Sequence, residues 1–191
     1  MDKPSFPAKL EEPVGYDFVL QNWMPPYGKG QHEDVLITIR LNDSKKAGGP
    51  QASVEYAFTG QGNGVCGIPL HSIVSESQFQ TPYEAPENGY ENNPCLLTER
   101  LYPSGAGKPV QKSNIEGENF FFRIRTQYDD EGNVVSGLYG IILDKIQIII
   151  WPKQNKIMGL YWLNPTPNDR NLEPARDERG QIIPYKEPLP Q

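Results

Sequence analysis

Apolar and polar residues alternate with a period of two over several stretches of this chain. Within Glu33–Leu41, Val35, Ile37, Ile39 and Leu41 fall on one face, and Leu36, Thr38 and Arg40 on the other. That is the pattern of a half-buried strand. Ser53–Phe58 repeats it, with Val54, Tyr56 and Phe58 inward. Asn119–Tyr128 carries the strongest signal: Phe120, Phe122, Ile124 and Tyr128 share one face, and Arg123, Arg125 and Gln127 the other. Asp129-Asp130-Glu131-Gly132-Asn133 then supplies turn chemistry. Val134–Leu143 reads as the returning strand, Asp144 as a short turn and Ile146–Trp151 as a third strand. Pro152–Asn155 reverses the chain, and Ile157–Leu163 forms a fourth strand. Residues 119–163 are therefore expected to form a four-stranded antiparallel meander.

Between these β regions, residues 60–117 are less regular. Short strands are expected at Val65–Leu70 and Cys95–Leu101, joined by long ordered loops, with one short helix at Leu70–Gln78. Seven to nine strands, with turn signals every 8–12 residues, predict an all-β, immunoglobulin-like antiparallel β-sandwich with long loops. Residues 1–13 read as an N-terminal tether, 14–173 as a single sandwich domain and 174–191 as an extended or disordered Pro-rich tail.

Composition supports this picture. Gly and Pro make up 37 of the 191 residues, a load that opposes long helices and suits strands joined by turns. The net charge is −6 and the pI about 5.0. This balance argues against nucleic-acid binding, which needs a concentrated basic face. No apolar run approaches the roughly 20 residues of a membrane helix. The first residues, Met1 to Pro7, contain no apolar signal segment. The chain is thus either cytosolic or begins after a removed leader, and the polar, Pro-rich opening makes an exported, periplasmic or surface protein the expectation.

Cys66 and Cys95 enclose 28 residues, which permits either one disulfide or two separate thiols. Neither belongs to a C-x-x-C pair, so zinc is not expected. Gly60-x-Gly62-x-Gly64 lacks the spacing and following helix of a dinucleotide fingerprint, and Gly28-Lys29-Gly30 lacks the features of a P-loop. Both read as turns. The acidic groups around Asp129–Asn133 and Glu87–Asn93 read as solvated turns rather than calcium loops. His32 and His71 carry no signature of a nucleophile's partner. A pair of carboxylates converging in space leaves no local trace, but the expectation is no enzyme, no metal and no cofactor.

The surface candidates are Trp23, Tyr27, Tyr83 and Tyr90, aromatics beside Pro and Gly in predicted loops. They could stack on sugars, or anchor the open ends of the sandwich. Trp151 and Trp162 could pair across adjacent strands. The segment Leu163–Glu173 (LNPTPNDRNLE) reads as a stiff, internally bonded loop, with Arg170 forking a carboxylate of the same loop or recognising a partner.

Three stretches carry a resemblance: Phe121-Phe122-Arg123-Ile124-Arg125-Thr126, Gly132–Gly140 (GNVVSGLYG) and Leu163–Glu173. Pro26–Gly30 and Ala85–Tyr90 belong with them. Through these the chain resembles a family of small exported proteins of Verrucomicrobia and related bacteria, over most of residues 15–173. The resemblance implies an immunoglobulin-like sandwich encoded near type IV pilus assembly genes. The chain departs from the family after Glu173, and it lacks the long apolar N-terminal helix of a true pilin, so an accessory role is implied rather than a shaft subunit. The resemblance supplies no catalytic residue. The expected function is that of a non-enzymatic envelope structural or interaction protein whose partner is an envelope protein or pilus component. The alternative is a carbohydrate-binding module using the loop aromatics on a glycan.

Overall fold

A computed structural model describes residues 10–42, 51–69, 72, 74–92, 95–100, 112–113, 119–151, 154–174 and 178–181. Ten strands are present among them: β1 (Val14–Asp17), β2 (Asn22–Trp23), β3 (Val35–Asn42), β4 (Gln51–Phe58), β5 (Gly64–Ile68), β6 (Cys95–Arg100), β7 (Lys112–Ser113), β8 (Asn119–Tyr128), β9 (Val134–Trp151) and β10 (Gln154–Asn164). They form a six-stranded sheet in the order β2-β1-β3-β4-β6-β7 and a four-stranded sheet in the order β10-β9-β8-β5, with every pairing antiparallel. The protein is an all-β sandwich.

The inner core lies where the alternation predicts it. Val35, Ile37 and Ile39 of β3 and Val54, Tyr56 and Phe58 of β4 are buried against Val65, Phe120, Phe122, Ile124, Leu138 and Ile142 of the facing sheet. Phe18 stacks on Phe122 at 4.7 Å between ring centroids, so aromatic contact bridges the two layers. Leu41, at the end of its strand, is exposed.

The four-stranded sheet is also buried on its outer face. Phe121, Tyr139, Ile141 and Ile68 pack there against Ala85 and Leu172, with Phe79, Tyr90 and Trp162 around them. The cover consists of residues 74–92 and 164–174. These two segments are tied together by a bridge between Glu84 and Asn171, and by bonds from Leu172 N–H to the Tyr83 carbonyl (2.8 Å) and from Ala85 N–H to the Arg170 carbonyl (2.9 Å). Trp162 lies opposite Ile141, and Trp151 opposite Gln154, so the two tryptophans are not cross-strand partners.

Several sequence expectations are corrected. Residues 119–163 hold three strands rather than four, because β9 runs without a break through Asp144. The register shifts there, with Leu143 opposite Leu160 but Gln147 opposite Met158. Three residues thus face the single Gly159, and the expected turn at Asp144 is a bulge instead. The predicted Asp129–Asn133 turn is present, with Gly132 at φ 85° and the Asp129 carboxylate accepting from the N–H groups of Glu131 and Asn133.

The helix expected at Leu70–Gln78 is not formed among its described residues. Instead, Ser72 N–H bonds the Pro69 carbonyl and Ser77 N–H the Val74 carbonyl, while the Ser77 hydroxyl accepts from Phe79 N–H. Serine side chains offer the backbone local bonds that compete with a helix, and proline lacks the N–H that a helix interior needs. Leu10 packs on the core, and the Glu11 carboxylate holds Arg40 and the Leu41 N–H. Residues 10 and 11, within the stretch read as a tether, thus contact the sandwich. Most of the tail beyond Pro174 lies outside the described residues.

Candidate functional site

Strand β8 carries two arginines two residues apart, and the fold sends them in different directions. Arg123, almost fully buried, points into the outer layer. Its Nε and Nη2 donate to the Gly62 carbonyl at 2.9 and 2.7 Å, and Nη1 donates to the Glu87 carbonyl at 2.9 Å. Its guanidinium also lies 4.6 Å from the centre of the Tyr90 ring. Simple alternation would place Arg125 on the same side. However, β8 bulges here: Ile124 faces Leu138 and Gln127 faces Ser136, leaving Arg125 and Thr126 opposite Gly137 alone. Arg125 takes the left-handed conformation, φ 55°, which is costly for a residue with a side chain.

That turn of the backbone sends Arg125 to the six-stranded sheet, where two carboxylates wait. Nη2 donates to Asp17 Oδ1 at 2.9 Å, and Nε to Asp34 Oδ1 at 3.0 Å. Asp17, fully buried at the end of β1, also accepts from the N–H groups of Val19, Leu20, Gln31 and His32 at 2.9–3.0 Å. Burial pushes the Asp17 carboxyl upward, but these bonds and the Arg125 charge outweigh it and hold the group below its ordinary value. Among the described residues the Asp34 carboxylate accepts one backbone donor, Phe18 N–H at 2.9 Å. Burial raises it above its ordinary value, and Arg125 offsets only part of that rise. Thr59 Oγ1 donates to the Glu33 carbonyl, Asn63 Nδ2 to the Thr59 carbonyl, and Asn63 Oδ1 accepts from Thr126 N–H at 2.9 Å. A polar seam therefore pins the two sheets together at this end of the sandwich.

The residues singled out from sequence divide into two groups. Tyr83, Tyr90 and Arg170 come together in the outer layer. Arg170 lies 3.4 Å from Glu84 and 3.3 Å from Glu87, and also donates to the Ala85 carbonyl at 2.9 Å. Its carboxylate partners thus belong to the facing segment, not to its own loop. Tyr90 gives its hydroxyl to the Pro86 carbonyl and its ring to Arg123. Trp23 and Tyr27 lie instead at the β2 edge of the other sheet. Trp23 is a core residue, edge-on to Tyr16 at 4.9 Å, because the short β2 strand turns its ring inward. Of the four aromatics, Tyr27 and Tyr83 are exposed, each at 43%.

Cys66 is a free thiol, facing the outer layer with its acidity reduced by burial. Cys95 pairs with Tyr56 in the opposite sheet. The Cys95 side chain lies outside the described residues. Among the described residues, no group of three or more His, Cys, Asp or Glu side chains is placed to hold a metal ion. His32 meets Asp17 through its backbone N–H, and His71 lies outside the described residues.

The sheet edges are the remaining feature. β2 and β7, which end the six-stranded sheet, are two residues long each. β5, at one end of the four-stranded sheet, is closed by residue 91 through paired bonds between Val65 and Glu91 at 3.0 and 2.9 Å. Gly64 allows this approach, since a Cβ there would sit 2.4 Å from the Glu91 carbonyl oxygen. β10, at the other end, is eleven residues long and, among the described residues, pairs on one side with β9. Sequence reading identified the strand but could not identify it as an edge, because sheet order depends on the whole topology.

No protein-family model, no curated protein and no solved structure matches this chain. Among the described residues, no helix is long and apolar enough to cross a membrane.

Proposed function

We propose that this chain is a non-enzymatic interaction protein of the bacterial envelope, exported to the periplasm or cell surface and acting as a type IV pilus-associated accessory component. The observation that carries the interaction role is the contrast among the four sheet edges: two are minimal, one is closed by the chain itself, and β10 is long. A strand paired on one side offers backbone donors and acceptors to an added strand. The envelope and pilus setting, and an immunoglobulin-like relation of the two sheets, rest on the sequence resemblance. The passage of the chain from β4 to β5 and back to β6 across the sandwich supports that relation.

The committed state of the polar side chains supports a role without catalysis. Asp17 and Asp34 converge as a hydrolytic pair would, yet both are buried and bonded to backbone N–H groups and Arg125. A general acid or base must reach its substrate. For sugar binding, the buried Trp23 and the engaged Tyr90 leave Tyr27 and Tyr83 as the available rings, and these belong to different parts of the fold.

The test is capture from native envelope extract with the purified chain as bait and mass spectrometry as readout. Pilus or outer-membrane components are expected, with loss of capture when proline is placed in β10. Recovery of glycan alone, or capture unchanged by proline, would overturn the reading.

A further inference from the structure

The β9–β10 pair extends beyond the rest of its sheet. β8 begins at Asn119 and its first register pair with β9 is Phe120 opposite Ile142. Past Leu143, β9 continues through Trp151 with β10 as its one strand partner among the described residues. A two-stranded ribbon is marginal by itself in water, whereas three or more strands are self-supporting. The sequence of this ribbon is apolar: residues 146–151 read Ile-Gln-Ile-Ile-Ile-Trp. β10 contains a single charged residue, Lys156, among its eleven. Edge strands in isolated domains are usually blunted by charge, proline or brevity, and β10 has one lysine, no proline and ample length.

We infer that β10 is a self-association edge: two copies of this chain pair β10 with β10, antiparallel about a two-fold axis, and join their four-stranded sheets into one of eight strands. This rests on the strand-addition reading above, and an envelope partner that adds to β10 competes with the second copy for the same edge. A second copy fits the edge for two reasons. In antiparallel register it sets residues 160–164, backed by β9 and β8, beside residues 154–158 of the ribbon, so a two-stranded element gains a supported sheet, whereas a single peptide strand would add only one strand. It also satisfies the charge pattern. With the axis at Gly159, all eleven residues overlap, Gln154 faces Asn164, and Lys156 faces Trp162 of the other copy. The two like charges are kept apart rather than opposed. A shared patch that complements itself is the ordinary geometry of a two-fold dimer.

The test uses the purified full chain without any envelope partner, so it is independent of the capture experiment. Sedimentation equilibrium should give twice the chain mass at high concentration, falling toward the monomer on dilution. Hydrogen exchange should show the alternate amides of residues 154–164 that point away from β9 protected in the dimer and faster on dilution, while those that bond to β9 and those of β8 stay constant. Ile157→Pro and Met158→Pro are made separately, because successive N–H groups of a strand point to opposite sides. One should abolish the dimer with the fold retained by circular dichroism, and the other should disturb the β9 pairing. A monomer at all concentrations would overturn the inference. So would a dimer whose outward-pointing β10 amides ignore dilution, or protection of those outward amides in the monomer, which would mean the chain covers its own edge.

Discussion

The two faces of the four-stranded sheet bury similar side chains by different means. On the inner face, Phe120, Phe122 and Ile124 meet a second sheet whose strands alternate in the same rhythm. On the outer face, Phe121, Tyr139 and Ile141 meet irregular segments, residues 74–92 and 164–174, held by side-chain and backbone bonds. The segments carry little repeating backbone pairing of their own, so they depend on specific anchors. Arg123 grips the Gly62 and Glu87 carbonyls, Asn164 Nδ2 donates to the Asn171 carbonyl, and the Glu173 carboxylate accepts from Gln78 N–H. The inner layer should therefore set global stability, and the outer layer should open as a local unit.

Removing a side chain from each layer tests this difference. Phe122 is fully buried between the sheets, and Phe122→Ala should cost about 3–5 kcal/mol, lowering the urea midpoint of the whole domain. Arg125→Met should cost about 3 kcal/mol, since it leaves Asp17 and Asp34 buried without their cation. Its loss should also appear as global unfolding, because Arg125 joins the two sheets. Leu172→Ala should cost about 2 kcal/mol and show first as faster hydrogen exchange and proteolysis in residues 74–92 and 164–174. If Leu172→Ala shifts the global transition as far as Phe122→Ala, the layers form one cooperative unit and the contrast fails.

The same contrast explains what the sequence made legible. Period-two alternation is a local signal, and it located the inner residues of β3, β4 and β8. It also read a turn at Asp144, where β9 instead continues through a bulge. The outer layer gave no such signal, because Ala85 and Leu172 are buried by their position against Phe121 and Ile141, not by a repeat. The stiffness of Leu163–Glu173 was readable from its prolines and Asn/Asp residues, but its partner was not: Arg170 finds Glu84 and Glu87 across more than 80 residues of chain. Arg125 was beyond reach for a similar reason. Its direction depends on one extra residue in β8 opposite Gly137, and a one-residue change of register turns a side chain to the other face.

The smallest effect follows from the two carboxylates that Arg125 joins, whose acidities are displaced in opposite directions. Asp17 is held below its ordinary value of 3.8, chiefly by backbone N–H groups working against burial. Its charge therefore stabilises the fold above the unfolded value, and that contribution is lost as pH falls through the lower folded value. Asp34 is raised by burial, so the folded protein takes up its proton before the unfolded chain does. Stability should consequently rise as pH falls from above the raised value toward 3.8, and be level for this group below it. Urea unfolding of the protein and of Asp34→Asn, followed from neutral pH to about pH 4, should show the unsubstituted protein gaining on the variant as acid is added. Asp17→Asn should show the opposite trend below pH 3.8, with the unsubstituted protein losing ground. Parallel curves for Asp34→Asn would mean that Arg125 fully compensates Asp34, and that the seam between the sheets is balanced rather than biased toward one carboxylate.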